Sequence, residues 1–246
     1  MSTLKAHNIE PATGSDVALG AAGDSVTVSG DSLKLDTFKD AGGNTLFTSD
    51  GSGTLSSVNS GLKGAGPVLI QSQTASNSAS ISFTSGLDST YDKYIFVFLN
   101  INPATDRAHF TFQVNSTNDA GGGYDTSLIT STFFFAYQKE TDANDYNLAY
   151  LTDFDQAQAA GFQTVAHDVG SGSDESAAGI MHLFSPASTT YVKHFYSRLQ
   201  VYHGLDYSQD QYAAGYINDA SYAIDDIRFK MSSGNFDGKI KMYGIG

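Results

Sequence analysis

The aromatic residues of this 246-residue chain are confined almost wholly to one part of it. Of 16 Phe and 14 Tyr, only Phe38 and Phe47 precede residue 64. Residues 1–63 therefore lack the large side chains from which a small domain builds an interior, whereas residues 64–246 carry them in abundance. The chain divides on this ground into an N-terminal segment, 1–63, and a C-terminal domain, 64–246. The joint is Gly61 to Pro67, GLKGAGP, where three glycines and a proline within seven residues break any regular element.

The N-terminal segment is nevertheless patterned. Val26 and Val28, Leu33 and Leu35, Phe38, Leu46 and Phe47, then Leu55 and Val58 form short apolar beats between glycines, an irregular series of short strands and turns. Two readings compete. One is a flexible Gly/Ser/Asp-rich linker. The other is an interior shared by several intertwined copies, to which those nine residues contribute, and the apolar pairs at period two favour it.

In the C-terminal domain the pattern is that of strands. Lys93 to Ile101 is apolar at every second position on both faces, as in a strand covered from both sides, while Ala108, Phe110, Phe112 and Val114 alternate with His109, Thr111 and Gln113. With the turn residues Asn102 to Asp106 between them, the two predict a β-hairpin. Further strands are predicted at Ser78–Thr84, Leu128–Tyr137, Gly179–Phe184, Tyr191–Tyr202, Ile224–Met231 and Lys239–Tyr243. Phe154 to Ala160, between Asp153 and Gly161, predicts a helix of about two turns, and the rest of 140–175 reads as loop. About eight strands separated by turns predict an all-β fold with a jelly-roll-like β-sandwich.

The net charge of −13 and the absence of cysteine narrow the chemistry. An acidic chain without clustered Lys and Arg is a poor partner for nucleic acid or anionic membranes. No apolar run reaches the roughly 20 residues that span a bilayer, and residues 1–20 lack the regions of a signal peptide, so neither membrane insertion nor export by the ordinary secretory route is expected. The six histidines show no HxH or HExxH spacing and no GxSxG elbow is present, so no catalytic residue, cofactor or metal is predicted and the chain is not expected to be an enzyme. The acidic pairs Asp225/Asp226 and Asp153/Asp155 are the candidates for glycosidase carboxylates, but Asp225 and Asp226 are adjacent on a strand, point to opposite faces and would not meet one bond. Asp142, Asn144 and Asp145, or Asp174 and Glu175, offer oxygen ligands for calcium without the full loop register, and solvated acidic loops are the preferred reading. Tyrosines crowd the second half beside amides and carboxylates. Tyr146, Tyr150, Tyr207 and Tyr212 are the candidates for surface contact with sugars or proteins, the last two on an exposed loop.

The ending SSGNFDGKIKMYGIG, the stretch YDKYIFVFLNINPATD, the turn QVNSTNDAGGGYDTS, the segment HLFSPAS and the opening MSTLKAHNIEPATGSDVALG together resemble tailed-bacteriophage fibre and appendage proteins. The resemblance covers most of the chain and rests on the order of short motifs. It implies a homotrimeric structural protein of the virion, with an intertwined β shaft attached to other virion proteins through the N-terminal segment and a sandwich displayed outwards to contact a host glycan or protein. It carries no catalytic residues. A capsid decoration or head-fibre protein without receptor binding is the alternative role, and a carbohydrate-binding or carbohydrate-cleaving module a more distant one.

Overall fold

The computed structural model describes residues 36–40, 42–49, 51–52, 55–56, 58–59, 66–117, 124 and 127–246. Val26, Val28, Leu33, Leu35 and the side chain of Leu55 lie outside them, as does the turn 118–123. The chain forms two compact units, Met1–Gly64 and Ala65–Gly246. In the first, β1 (Thr37–Lys39), β2 (Thr45–Ser49) and β3 (Leu55–Ser56) make a small antiparallel sheet in the order β1-β2-β3. Phe38 lies opposite Phe47 and stacks on it, ring centroids 5.3 Å apart. Phe38 remains 41% exposed, and Leu46, Phe47 and Val58 are half-buried.

The second unit is all-β, with a single 3₁₀ turn, Thr152–Phe154, as the helical element among its described residues. Its strands are β4 (Val68–Ser78), β5 (Ile81–Phe83), β6 (Lys93–Pro103), β7 (Ala108–Ser116), β8 (Ile129–Lys139), β9 (Tyr146–Tyr150), β10 (Ala157–Ala159), β11 (Gln163–Val169), β12 (Ala177–Phe184), β13 (Lys193–His203), β14 (Tyr207–Ile217), β15 (Ile224–Met231) and β16 (Phe236–Ile245). They form one antiparallel sheet whose main path runs β4-β16-β6-β12-β13-β11-β7-β15-β5, with β14, β8 and then β9 and β10 extending from β13. The path ends on β4 and β5, which follow one another in the chain, and Gln73 Nε2 donates to Ser82 O across them at 2.7 Å. The sheet thus folds back on itself and nearly closes, a flattened barrel with two facing layers.

The interior between the layers is phenyl-rich because inward positions at period two carry the aromatics. Phe229 of β15 lies at the centre, its ring against Phe83, Phe96, Phe98, Phe110 and Phe112 at 5.2–6.4 Å. A smaller cluster of Phe133, Phe135 and Ala213 packs with Tyr137, Leu151 and Phe154 beneath β8.

Several expectations are corrected. β6 and β7 are not a hairpin: β6 pairs with β12 and β16, β7 with β11 and β15, so the turn between them arches from one layer to the other. Their faces are also exchanged. Ile95 and Val97 are only half-buried and Leu99 is exposed, whereas β7 is buried on both faces from Phe110 to Ser116. The polar face of β7 is covered because Gln113 Nε2 donates to the carbonyls of Ser127, Ala160 and Gly161. The helix over 154–160 is absent, since Asp155 Oδ1 accepts the Phe133 amide and Ala157 pairs with Thr130, drawing the segment into the sheet edge. Residues 140–175 are not loop throughout, since they hold β9, β10 and β11. Tyr207 and Tyr212 lie on β14, which pairs on both sides, and not on an exposed loop.

Candidate binding face

The strands β9, β8, β14, β13 and β12 present one face outward. Burial of Phe133 and Phe135 on β8 and of Gln209, Gln211 and Ala213 on β14 leaves Phe134, Ala136 and Gln138 outside, with Ser208, Asp210 and Tyr212 beside them. Register sets these into rows. Tyr150 lies opposite Phe134, Phe134 opposite Tyr212, Tyr212 opposite Arg198 and Arg198 opposite Ile180. Phe134 and Tyr212 stack at 4.8 Å with their planes 4° apart. The Arg198 guanidinium lies 5.2 Å from the Tyr212 ring centroid and grips Asp210 with two hydrogen bonds, Nε to Oδ1 at 3.0 Å and Nη2 to Oδ2 at 2.7 Å. Tyr212 also donates to Asp210 Oδ2 at 3.0 Å. These donors hold the Asp210 carboxyl below its ordinary pKa, Arg198 foremost, and the fork fixes both groups in place. The result is a flat aromatic platform with a rigid polar flank.

Four residues further along the same strands lies a cleft of about 440 Å³, lined by Gln138, Glu140, Asp174, Gln200, Tyr202 and Ser208 among others. Tyr202 donates its hydroxyl to Glu140 Oε2 at 2.8 Å, and that bond, with burial and the surrounding carboxylates, lifts the phenol to about 12.

Of the predicted contact tyrosines, Tyr146 and Tyr150 are the most open, 66% and 54% exposed on the edge strand β9, and Tyr150 donates to Asp155. Tyr212 joins them on the outer face. Tyr207 does not: it points inward, its ring edge-on to Tyr137 and His203, its hydroxyl donating to Asp145 Oδ2 at 3.2 Å. Sequence reasoning missed Phe134, Arg198, Gln138 and Gln200. The FFF run hid Phe134, whose outward position shows only once its neighbours are known to face in.

A second constellation lies where β11 meets β13 through the pair Val169–His203. Asp168 Oδ2 accepts from Arg107 Nη2 at 2.9 Å and His203 Nε2 at 3.2 Å, with His167 Nδ1 at 3.6 Å, while His109 Nδ1 is 3.7 Å from Oδ1. Burial works to raise the Asp168 pKa, but His167, His203 and Arg107 outweigh it and hold the carboxyl far below the usual range. His167, Asp168 and His203 have metal-ligand spacing, yet the hydrogen bonds oppose that role. His203 Nδ1 accepts the Leu205 amide at 3.0 Å, so its proton is on Nε2, the atom aimed at the site. His109 Nδ1 likewise accepts the Asp168 amide at 3.1 Å. With these lone pairs engaged and a guanidinium on the carboxylate, the cluster is a hydrogen-bonded anion knot that fastens a seam of the sheet.

Of the calcium candidates, the side chains of Asp142, Asp145 and Glu175 have partners within the chain. Asp142 Oδ1 accepts the Asn144 amide at 2.9 Å, Asp145 lies 3.6 Å from Lys139, and Glu175 accepts from the Gly172 amide. No helix among the described residues is long and apolar enough to cross a membrane. Comparison with protein-family models, with curated proteins and with solved structures finds no match to this chain.

Proposed function

We propose that this chain is a non-enzymatic structural protein of a tailed-phage virion, a homotrimeric fibre or appendage with an intertwined N-terminal β shaft and a jelly-roll-like sandwich displayed for host attachment. The observation that carries the self-assembly is the state of the N-terminal unit, where none of the described side chains of residues 36–59 is buried. The stacked Phe38–Phe47 pair sits on strands of three, five and two residues, and sheets that small do not stand alone in water. Further copies of the same strands supply the missing cover. The outer face of the sandwich, with an aromatic platform that no described residue of that unit covers, supports a role in contact with another surface.

Sedimentation equilibrium of the 246-residue chain tests the assembly. The expected mass is three times 26.1 kDa, and Phe47→Asp, which places a charge in the shared interior, is expected to release monomers. A wild-type chain sedimenting at 26.1 kDa overturns the trimer. Antibody labelling of virions in electron micrographs tests the location. Label at the tail is expected, label on the head lattice establishes the decoration role instead, and unlabelled particles reject a virion protein altogether.

A further inference from the structure

The cleft beside the aromatic platform is rich in acceptors. Gln138 spends its amide nitrogen on the backbone carbonyls of Lys139 and Asp142, at 3.1 and 2.8 Å, and Gln200 spends its own on Val201 O at 3.1 Å and Ser208 Oγ at 3.4 Å. Both residues are exposed, and neither side-chain oxygen accepts a hydrogen bond from the described residues. Glu140 and Asp174 add carboxylates. The cationic side chain on the lining, Lys139, lies 3.6 Å from Asp145 and over the Tyr207 ring at 5.3 Å. Such a surface repels phosphate, sulfate and sialic acid, offers no enclosed apolar volume to a lipid, and rewards a ligand that brings many hydroxyl donors and no negative charge.

The platform adds the second requirement. Phe134 and Tyr212 lie four residues along their strands from Gln138 and Ser208, on the same face, about 13 Å away. Between them Ala136 and Asp210 form a low floor. A ligand reaching both ends is longer than one sugar ring, has an apolar face to lie on the stacked rings and has hydroxyls to fill the cleft. Fixed aromatic rings beside fixed amides and carboxylates meet that description at small entropic cost.

We infer that the cleft and the Phe134–Tyr212 platform together form a binding site for a neutral oligosaccharide. The inference deepens the attachment reading above by naming the chemical class of the partner, and it rests on that reading only for its biological setting. In the bound arrangement a sugar ring lies across Phe134 and Tyr212, Arg198 and Asp210 meet its hydroxyl edge, and the following rings run along Ala136 to donate to the Gln138 and Gln200 oxygens.

The test uses the fluorescently labelled 246-residue chain on an array of glucose-, galactose- and N-acetylglucosamine-based oligosaccharides printed beside sialylated and sulfated ones. Each hit is then titrated calorimetrically, and the protein's mass is measured in the same sample. The expected result is binding to at least one neutral oligosaccharide, weakened tenfold or more by Gln200→Ala and by Tyr212→Ala. Tyr191→Ala, at an exposed tyrosine two residues before β13, leaves affinity unchanged, and so does EDTA. The inference is overturned by an array silent for neutral sugars, by binding confined to the anionic ones, by affinity indifferent to both cleft and platform substitutions, or by loss with EDTA, which would mark a bound cation. A trimer that binds no sugar removes this inference alone; a monomer that binds one removes the fibre and keeps the site.

Discussion

At Asp168 one side chain fastens two strands that share little else. The residue sits at a register shift of β11 with φ at +51°, a left-handed conformation that Asp and Asn tolerate better than other side chains. From there its carboxylate meets Arg107 and His203. Asp168→Asn keeps the backbone preference and the volume but removes the charge, leaving donors poorly answered. We expect it to cost about 1–3 kcal/mol, and Asp168→Ala to cost roughly 1 kcal/mol more because the left-handed backbone is then strained as well. Urea unfolding of both variants measures this, and an Asn variant as stable as wild type would show the knot to be idle. None of it was legible beforehand. His167 and Asp168 stand 35 and more residues from His203, and only the fold-back of the sheet brings them to one point.

Among the elements, alternation named the faces of strands and not their neighbours. The period-two runs at 191–202, 224–231 and 239–243 became β13, β15 and β16 with their apolar sides inward, as Phe229 shows. β6 and β7 were legible as strands, but their adjacency in sequence suggested a hairpin where the chain makes an arch. Buried amides caused the other error, because Gln113 reads as a solvated residue until the three carbonyls it serves are known. The platform was half legible: Tyr150 and Tyr212 stood out by type, while Phe134 and Arg198 needed the register. Close strand approach was invisible too. A Cβ at Gly179 would lie 2.3 Å from the Arg198 carbonyl and 2.7 Å from the Leu199 Cα, both backbone atoms of β13. Gly179→Ala must therefore push β12 away from β13, and we expect a loss on the order of 1–3 kcal/mol in thermal or urea unfolding. Ala178→Ser, next to it on the exposed face, is expected to stay within about 0.5 kcal/mol of wild type. Equal effects of the two would show that strand spacing has slack there.

For the whole sandwich, acid is the condition under which the buried ionisable groups act together. His109 and His182 are both held below the ordinary histidine pKa by burial; Asp168 opposes this at His109 while His167 and Arg107 reinforce it, and Lys93 reinforces it at His182. The unfolded chain takes up protons at these positions near pH 6.5, before the folded chain does, so stability falls as pH drops below that value. Each of the two contributes a slope of at most about 1.4 kcal/mol per pH unit until its folded form is also protonated. Asp168 acts later and in the same direction. Its carboxyl is depressed in the fold, so its contribution is intact above the ordinary carboxylate pKa near 4 and declines as pH falls below it. Stability followed by urea unfolding from pH 8 to pH 3 should therefore be lost in two stages, one beginning near 6.5 and one near 4. His182→Gln, which keeps a neutral polar group in place of the imidazole, should reduce the first stage to the part due to His109 without moving the second, whereas Asp168→Asn should remove the second stage and, by taking away the charge that favours His109 protonation, deepen the first. A curve level from pH 8 to pH 4.5 in the wild type would mean that the two imidazoles take up protons in the fold as readily as in the open chain.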